Sequence, residues 1–109
     1  MSDELMVFVT VPSGEDASRI GEVLVSERLA ACVNVVPRIE SIYRWEGEVT
    51  RDVEWLLIIK TTGARFEEME QRVKALHSYT TPEVIAFKIS QGSDDYLRWI
   101  RESTAPDEV

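Results

Sequence analysis

The side chain best suited to metal or acid-base chemistry is that of His77, the only histidine among the 109 residues. It begins the stretch HSYTTPEVIAFKI, in which Tyr79, Pro82 and Glu83 follow within a few positions. Imidazole is the commonest metal ligand and a frequent general base, and turns often carry functional residues. One imidazole with one or two carboxylates would bind a divalent ion weakly, Cu²⁺ ahead of the others. Alternatively, His77 simply ends a helix, where its charged form is favoured.

Four other residues attract attention, and each has a simple structural explanation. Cys32 is the only cysteine, which excludes an intrachain disulfide and favours a packed thiol. Tyr43 and Trp45 are two residues apart, so they share one face of a strand, where aromatic side chains usually pack. Lys60 ends an apolar run as a solvated strand end would. Because no nucleophile elbow, phosphate loop or paired acid and base is recognisable, we predict that the protein is not an enzyme.

The composition indicates a folded domain without affinity for polyanions. Hydrophobic residues make up 44% of the chain, and the formal net charge is −8. That charge argues against binding nucleic acid or anionic membranes. Neither a signal peptide nor a segment of ~20 apolar residues is recognisable, so we expect a cytoplasmic protein.

Hydrophobic periodicity predicts one α+β domain over residues 1–109, with a tail from about residue 103 that is disordered. The predicted strands cover residues 4–12, 32–45, 49–61 and 81–90, and the predicted helices cover 13–31, 63–78 and 93–102. The order is therefore β-α-β-β-α-β with a short C-terminal helix. This is the split-βαβ, ferredoxin-like arrangement, with two helices on one face of an antiparallel sheet.

The hairpin formed by the second and third strands is unusually long. Its first strand has 14 residues, or roughly 45 Å at ~3.3 Å each, whereas a chain of this size folds to about 35 Å across. The apolar residues Val35, Ile39, Tyr43 and Trp45 are expected along one face of a protruding ribbon. Neighbouring subunits would cover that face and the free edges, so we predict a closed homo-oligomer. Pro37 cannot donate a hydrogen bond to the sheet, so we expect it to mark a bulge or an edge within the first of these strands. Alternatively, Pro37 kinks the ribbon back onto its own sheet.

Several separated segments resemble the CutA divalent-cation tolerance proteins. They are ERLAACVNVVPRIESIYRWEGEV, LLIIKT, HSYTTPEVIAFKI and DYLRWI, and the resemblance runs from VTVP in the first strand through Ile100. It implies a ferredoxin-like subunit that forms a homotrimer through its long hairpin and binds copper. It also implies similarity to the PII signalling proteins, trimers that bind small effectors in clefts between subunits.

The resemblance places a ligand-binding cleft at eight positions, namely Cys32, Tyr43, Trp45, Lys60, His77, Tyr79, Pro82 and Glu83. Family members commonly have proline where this chain has Ser78, and some have cysteine and histidine where it has Val9 and Leu76. His77 therefore remains as the metal candidate, for a weakly bound Cu²⁺ or other divalent ion with no obligatory cofactor.

Three other functions are compatible with parts of the sequence. The first is a structural trimer that presents a surface to a protein partner, with metal binding incidental. The second is an acylphosphatase-like enzyme, but VPSGEDAS offers acids where phosphate would be cradled, with Arg19 a full turn later. The third is an RNA-recognition module, but the sequence shows neither the aromatic strand motif nor the basic face that such a module needs.

Overall fold

The computed structural model describes residues 3–106 and confirms the predicted α+β element order. The elements are β1 (Glu4–Val11), α1 (Gly14–Ser26), β2 (Cys32–Trp45), β3 (Glu48–Thr62), α2 (Gly63–Leu76), β4 (Val84–Lys88) and α3 (Asp94–Thr104). None of the helices in the described part of the chain is long and apolar enough to cross a membrane.

The four strands form one antiparallel sheet in the order β2-β3-β1-β4. Because β1 and β2 both run antiparallel to β3, they are parallel to each other with β3 between them. This is the pairing of the split-βαβ arrangement that the element order predicts. The central strands β1 and β3 therefore carry the core, and β2 and β4 form the edges.

Helices α1 and α2 cover one face of the sheet and close the main core. That core includes Val7 and Leu57 from the sheet, Leu24 from α1 and Met69 from α2, each fully buried. The opposite side of the sheet is not covered by α1 or α2, and we call it the open face. Its residues, identified by cross-strand register, include Met6, Phe8, Asn34, Leu56, Ile58, Lys60, Ile85 and Phe87.

Helix α1 begins as predicted and ends earlier than predicted. The Ser13 hydroxyl caps it by accepting a hydrogen bond from the Asp16 amide at 3.1 Å. The chain leaves the helix at Arg28, whose φ of 61° is left-handed. The amides of Leu29 and Ala30 both donate to the Leu24 carbonyl there, which satisfies the helix end. The expected extension of this helix to residue 31 is therefore wrong.

The β2–β3 hairpin projects as predicted. Its strands have 14 and 15 residues, and the molecule measures 47 × 30 × 21 Å. Pairing continues to Trp45 opposite Glu48, closed by Glu46 and Gly47 with φ of 49° and 81°. Positive φ at both turn residues matches the right-handed twist of the strands. The alternative in which the ribbon folds back at Pro37 is wrong.

Pro37 lies in a β-bulge, which confirms the prediction of a bulge or an edge there, and the bulge changes which side chains share a face. Val36 is opposite Leu56 and Ile39 is opposite Glu54, so three steps along β2 match two along β3. Beyond the bulge, the odd-numbered residues of β2 lie on the open face, whereas before it the even-numbered residues do. The expected common face for Val35 and Ile39 is therefore wrong, because the bulge lies between them.

Helix α3 is anchored against the rest of the chain. Ser93 caps it by accepting a hydrogen bond from the Tyr96 amide, and its Leu97 and Ile100 pack with Ala31 and Ile89. These apolar contacts hold a helix of only 11 residues that would be marginal alone.

The helix continues past the expected start of the tail. Ser103 and Thr104 are helical, and the Thr104 hydroxyl is buried and donates to the Ile100 carbonyl at 2.9 Å. A salt bridge of 3.0 Å between Arg101 and the buried Glu4 ties the same turn to β1. The prediction of disorder from about 103 is therefore wrong for Ser103 and Thr104, and residues 107–109 lie outside the described residues.

Candidate functional site

His77 is the C-cap of α2, and its ring is buried rather than free. Its Nε2 lies 2.7 Å from the Thr10 carbonyl oxygen, and its Nδ1 accepts the Tyr79 amide hydrogen bond at 3.0 Å. Nε2 must therefore carry the proton and donate it, while the lone pair of Nδ1 is occupied. His77 thus joins the end of β1 to the turn after α2.

This geometry leaves His77 without a nitrogen that is free for a metal. A divalent ion could bind the ring only if the ring released Thr10 or Tyr79. Within residues 3–106, no group of three or more histidine, cysteine or acidic side chains could hold a metal ion. A metal at this turn would therefore need water or another chain to complete its coordination.

Beside this turn lies a cleft of about 500 Å³, between the α2–β4 connection and the open face of the projecting ribbon. Its lining contains three aromatic rings, two carboxylates and four hydroxyl side chains. They are Tyr43, Trp45 and Tyr79, then Glu54 and Glu83, and finally Thr10, Ser78, Thr80 and Thr81.

The bulge in β2 explains why aromatic rings meet a carboxylate here. Tyr43 is opposite Thr50 and lies on the same face as Glu54 because the bulge takes one residue of β2 out of the strand alternation. With the same residues and no bulge, Ile42 and Arg44 would occupy that face instead. His77 fixes the other wall by orienting the backbone of Tyr79.

Glu54 is the most buried charged group of the cleft, with 8% of its surface exposed. Its Oε2 accepts a hydrogen bond of 3.0 Å from the Tyr79 hydroxyl. Burial and this hydrogen bond to Glu54 raise the pKa of Tyr79 far above its usual range, so its proton stays in place. Glu83 lies close enough that burial, and then the Glu54 charge, raise the pKa of its carboxyl.

A third acidic residue lies next to the cleft. The Tyr43 hydroxyl donates a hydrogen bond to Asp52, and this bond raises the pKa of Tyr43. Across the part of the chain that the structure describes, Asp52, Glu54 and Glu83 form no salt bridge with any lysine or arginine. The cleft therefore contains two carboxylates, with a third beside it, that are not paired with a cationic side chain among residues 3–106.

The structure brings four of the predicted cleft residues together, namely Tyr43, Trp45, Tyr79 and Glu83. Pro82 is half-buried in the same connection but does not line the cleft, and His77 lies behind it.

Cys32 and Lys60 lie elsewhere. They pair with each other across β2 and β3, where the Lys60 ammonium bonds to Asn34. Lys60 is six residues from Glu54 along one strand, which is about 20 Å. The structure therefore does not bring Cys32 and Lys60 to this cleft within one chain.

Reasoning from the sequence missed Glu54 and Thr10. Glu54 carried a detectable signal, because it interrupts VEWLLIIK, a strand that is apolar on both faces. A carboxylate within such a strand is buried only when something compensates for its desolvation. Thr10 contributes a carbonyl, which the sequence does not distinguish.

Comparison with known proteins shows extensive similarity. The family model for the CutA1 divalent ion tolerance protein matches residues 5–103. A Thermus thermophilus protein named divalent-cation tolerance protein CutA is 55% identical over 101 residues, 93% of this chain and 98% of that protein. A solved structure of the Thermus thermophilus protein superposes with a TM-score of 0.92, covering 94% of this chain and 99% of the other.

Plant proteins are also similar over almost the whole chain. The chloroplastic protein CutA of Arabidopsis thaliana is 51% identical over 92% of this chain, which spans 55% of the plant protein. The CutA1 structure from Oryza sativa gives a TM-score of 0.94 at 47% identity, covering 97% of both chains.

Proposed function

Because the chain belongs to the CutA1 divalent ion tolerance family, we propose that it is a non-catalytic divalent-cation tolerance protein. It assembles as a homotrimer and binds a cation or small effector in the cleft at Glu54 and Glu83, in the manner of the PII proteins. It works in the cytoplasm and binds neither nucleic acid nor membrane.

The observation that carries this proposal is that Glu54 and Glu83 line the cleft and form no salt bridge with another described residue. Glu54 is buried and accepts a hydrogen bond only from a neutral phenol within residues 3–106. Ionised groups removed from water are normally paired, because their desolvation is costly. A bound cation would supply the missing charge to Glu54 and Glu83 together.

The open face supports assembly into an oligomer. Phe8 and Phe87 contact edge to face on it with ring centroids 5.2 Å apart, and Ile85 and Phe87 remain 46% and 45% exposed. Continuous apolar surface of this kind marks an interface in a protein that is otherwise strongly charged. The number of three subunits is taken from the family resemblance.

The projecting ribbon supports the same assembly. Its far half exposes Ile42, Trp45, Val49 and Val53, each at least half exposed, on strands too distant from α1 and α2 to be covered. Another subunit that covers these residues would also approach the cleft, which Trp45 lines. The cleft would then lie between subunits.

Copper is the divalent ion to test first, because it ranks highest in affinity for mixed nitrogen and oxygen sites. Its ligands here would be the carboxylates of Glu54 and Glu83, with His77 joining only after it leaves Thr10 or Tyr79. We therefore propose weak copper binding, completed by water or a second subunit.

Native mass spectrometry and calorimetric Cu²⁺ titration test the two parts of the proposal. We expect an assembly of three 12.4-kDa chains and saturable Cu²⁺ binding that Glu83→Gln weakens. Glu67→Gln, a charge-matched change at an exposed site on α2, should leave the isotherm unchanged.

A monomer as the main species would refute the assembly. Identical isotherms for the wild type, His77→Ala and Glu83→Gln would refute metal binding at this site. Co-purification of a specific protein that is unaffected by chelators and by Glu83→Gln would instead favour the interaction trimer with incidental metal binding.

A further inference from the structure

We propose that the preferred ligand of the cleft is a small organic ammonium ion, held by the rings of Tyr43, Trp45 and Tyr79 and by the carboxylates of Glu54 and Glu83. This inference rests on the proposed function in one respect, namely that the cleft binds a cationic ligand.

The size of the cleft is the first argument. Its volume of about 500 Å³ falls within the ~300–1,000 Å³ typical of sites for organic ligands. A metal ion needs a compact set of ligand atoms and does not need a cleft of this volume. Within the described residues no group of three histidine, cysteine or acidic side chains could hold a metal ion.

The sign of the charge is the second argument. Glu54 and Glu83 line the cleft, and its other lining side chains are aromatic or carry hydroxyls. Neither carboxylate forms a salt bridge with another described residue. An anionic or neutral ligand would leave the buried Glu54 uncompensated, whereas an ammonium ion can donate hydrogen bonds to both carboxylates.

The aromatic rings select among cations. Three of the nine lining residues are Tyr43, Trp45 and Tyr79. Aromatic faces attract organic ammonium ions, and tryptophan does so most strongly. Mg²⁺, Ca²⁺ and Mn²⁺ instead need oxygen ligands in a complete shell, which rings do not supply. The same rings can also cover an apolar arm of the ligand.

The position of the rings supports a built site rather than a chance patch. Tyr43 and Trp45 reach this face through the bulge in β2. The Tyr79 hydroxyl donates a hydrogen bond of 3.0 Å to Glu54 Oε2, and the Tyr79 amide donates one to His77 Nδ1. Glu54 and Tyr79 are thus held in position before a ligand arrives.

Calorimetry with n-butylammonium chloride tests the proposal, with n-butanol as the neutral analogue and NaCl as the ionic control. We expect saturable binding of n-butylammonium and at least about tenfold weaker binding of n-butanol. Glu83→Gln should raise the dissociation constant about tenfold, and Trp45→Ala several-fold. Glu67→Gln, which removes an exposed charge from α2, should have no effect.

Each other outcome overturns the proposal in a recognisable way. If Glu83→Gln and Trp45→Ala leave n-butylammonium binding unchanged, the ion is only attracted diffusely by the net charge of −8. If Cu²⁺ binds in a Glu83-dependent manner and n-butylammonium does not bind, this proposal fails and the proposed function stands. If neither binds, both fail. Native mass spectrometry of each variant verifies that its assembly matches the wild type.

Discussion

Replacing His77 with alanine should destabilise the protein substantially, because the ring is a structural link. The side chain is buried and forms hydrogen bonds with the Thr10 carbonyl and the Tyr79 amide. Two such bonds contribute about 1 kcal/mol each, and leaving a buried backbone group without its partner costs about 1–3 kcal/mol. We therefore expect a loss of about 2–4 kcal/mol in the free energy of unfolding.

Urea denaturation, followed by circular dichroism at one fixed protein concentration, measures this loss. The concentration must be constant because an oligomer gains apparent stability from association. In thermal unfolding the same loss corresponds to about 8–16 °C. His77→Gln provides an amide donor and acceptor and should recover part of the stability. Ser78→Ala, at the exposed neighbouring position, should change it by less than about 0.5 kcal/mol.

A loss below about 1 kcal/mol for His77→Ala would refute this reasoning. The ring would then contribute little to the fold, and its two hydrogen bonds to backbone groups would not be needed for stability. Loss of Cu²⁺ binding in His77→Gln with unchanged stability would show that the ring serves chiefly as a ligand.

Three further predictions concern helix docking, the ribbon turn and pH. Ile100→Ala should lower the free energy of unfolding, measured by urea denaturation, by about 2–5 kcal/mol because the side chain is fully buried where α3 docks. Glu102→Ala, on the exposed side of α3, should lower it by less than about 0.5 kcal/mol. Similar losses for the two variants would contradict the docking. Gly47→Ala should lower the free energy of unfolding by about 1 kcal/mol because φ at this position is 81°. The loss should not be larger, since an added Cβ meets nothing within 4 Å. An unchanged urea midpoint would contradict the turn geometry. Burial and the charge of Glu54 raise the pKa of Glu83 above its ordinary 4.5, so the cleft should bind n-butylammonium more tightly as pH rises through that pKa and Glu83 loses its proton. Calorimetry across this range should show the rise in wild type and not in Glu83→Gln; a flat profile in wild type would contradict it.

The element order was predictable because local signals agreed with the global arrangement. The Ser13 and Ser93 hydroxyls cap α1 and α3, and the apolar positions of each helix follow its period. The helix ends were less predictable. Arg28 adopts a left-handed φ without a glycine signal, and Thr104 stays helical because tertiary packing buries it.

The candidate site was predictable only in part, since it depends on the relation between distant segments. The aromatic residues and Glu83 were singled out, but the phase of β2 depends on a bulge whose position Pro37 only suggests. Glu54 reads as one acid among 20 acidic residues until its burial is known. Cys32 and Lys60 were assigned to the cleft by family resemblance. A resemblance identifies matching positions in the sequence but does not show which of these residues lie close together in one chain.

The bulge has a consequence for how this protein can change over generations. Deleting Arg38 alone would leave one residue between Val36 and Ile39, matching the one residue between Leu56 and Glu54, so Tyr43 and Trp45 would stay on the open face. One lost codon at the bulge would thus straighten β2 and keep the aromatic wall of the cleft. A single-residue deletion between Ile39 and Tyr43 that left the bulge in place would instead move Tyr43 and Trp45 to the other face, whereas substitutions can adjust the cleft gradually.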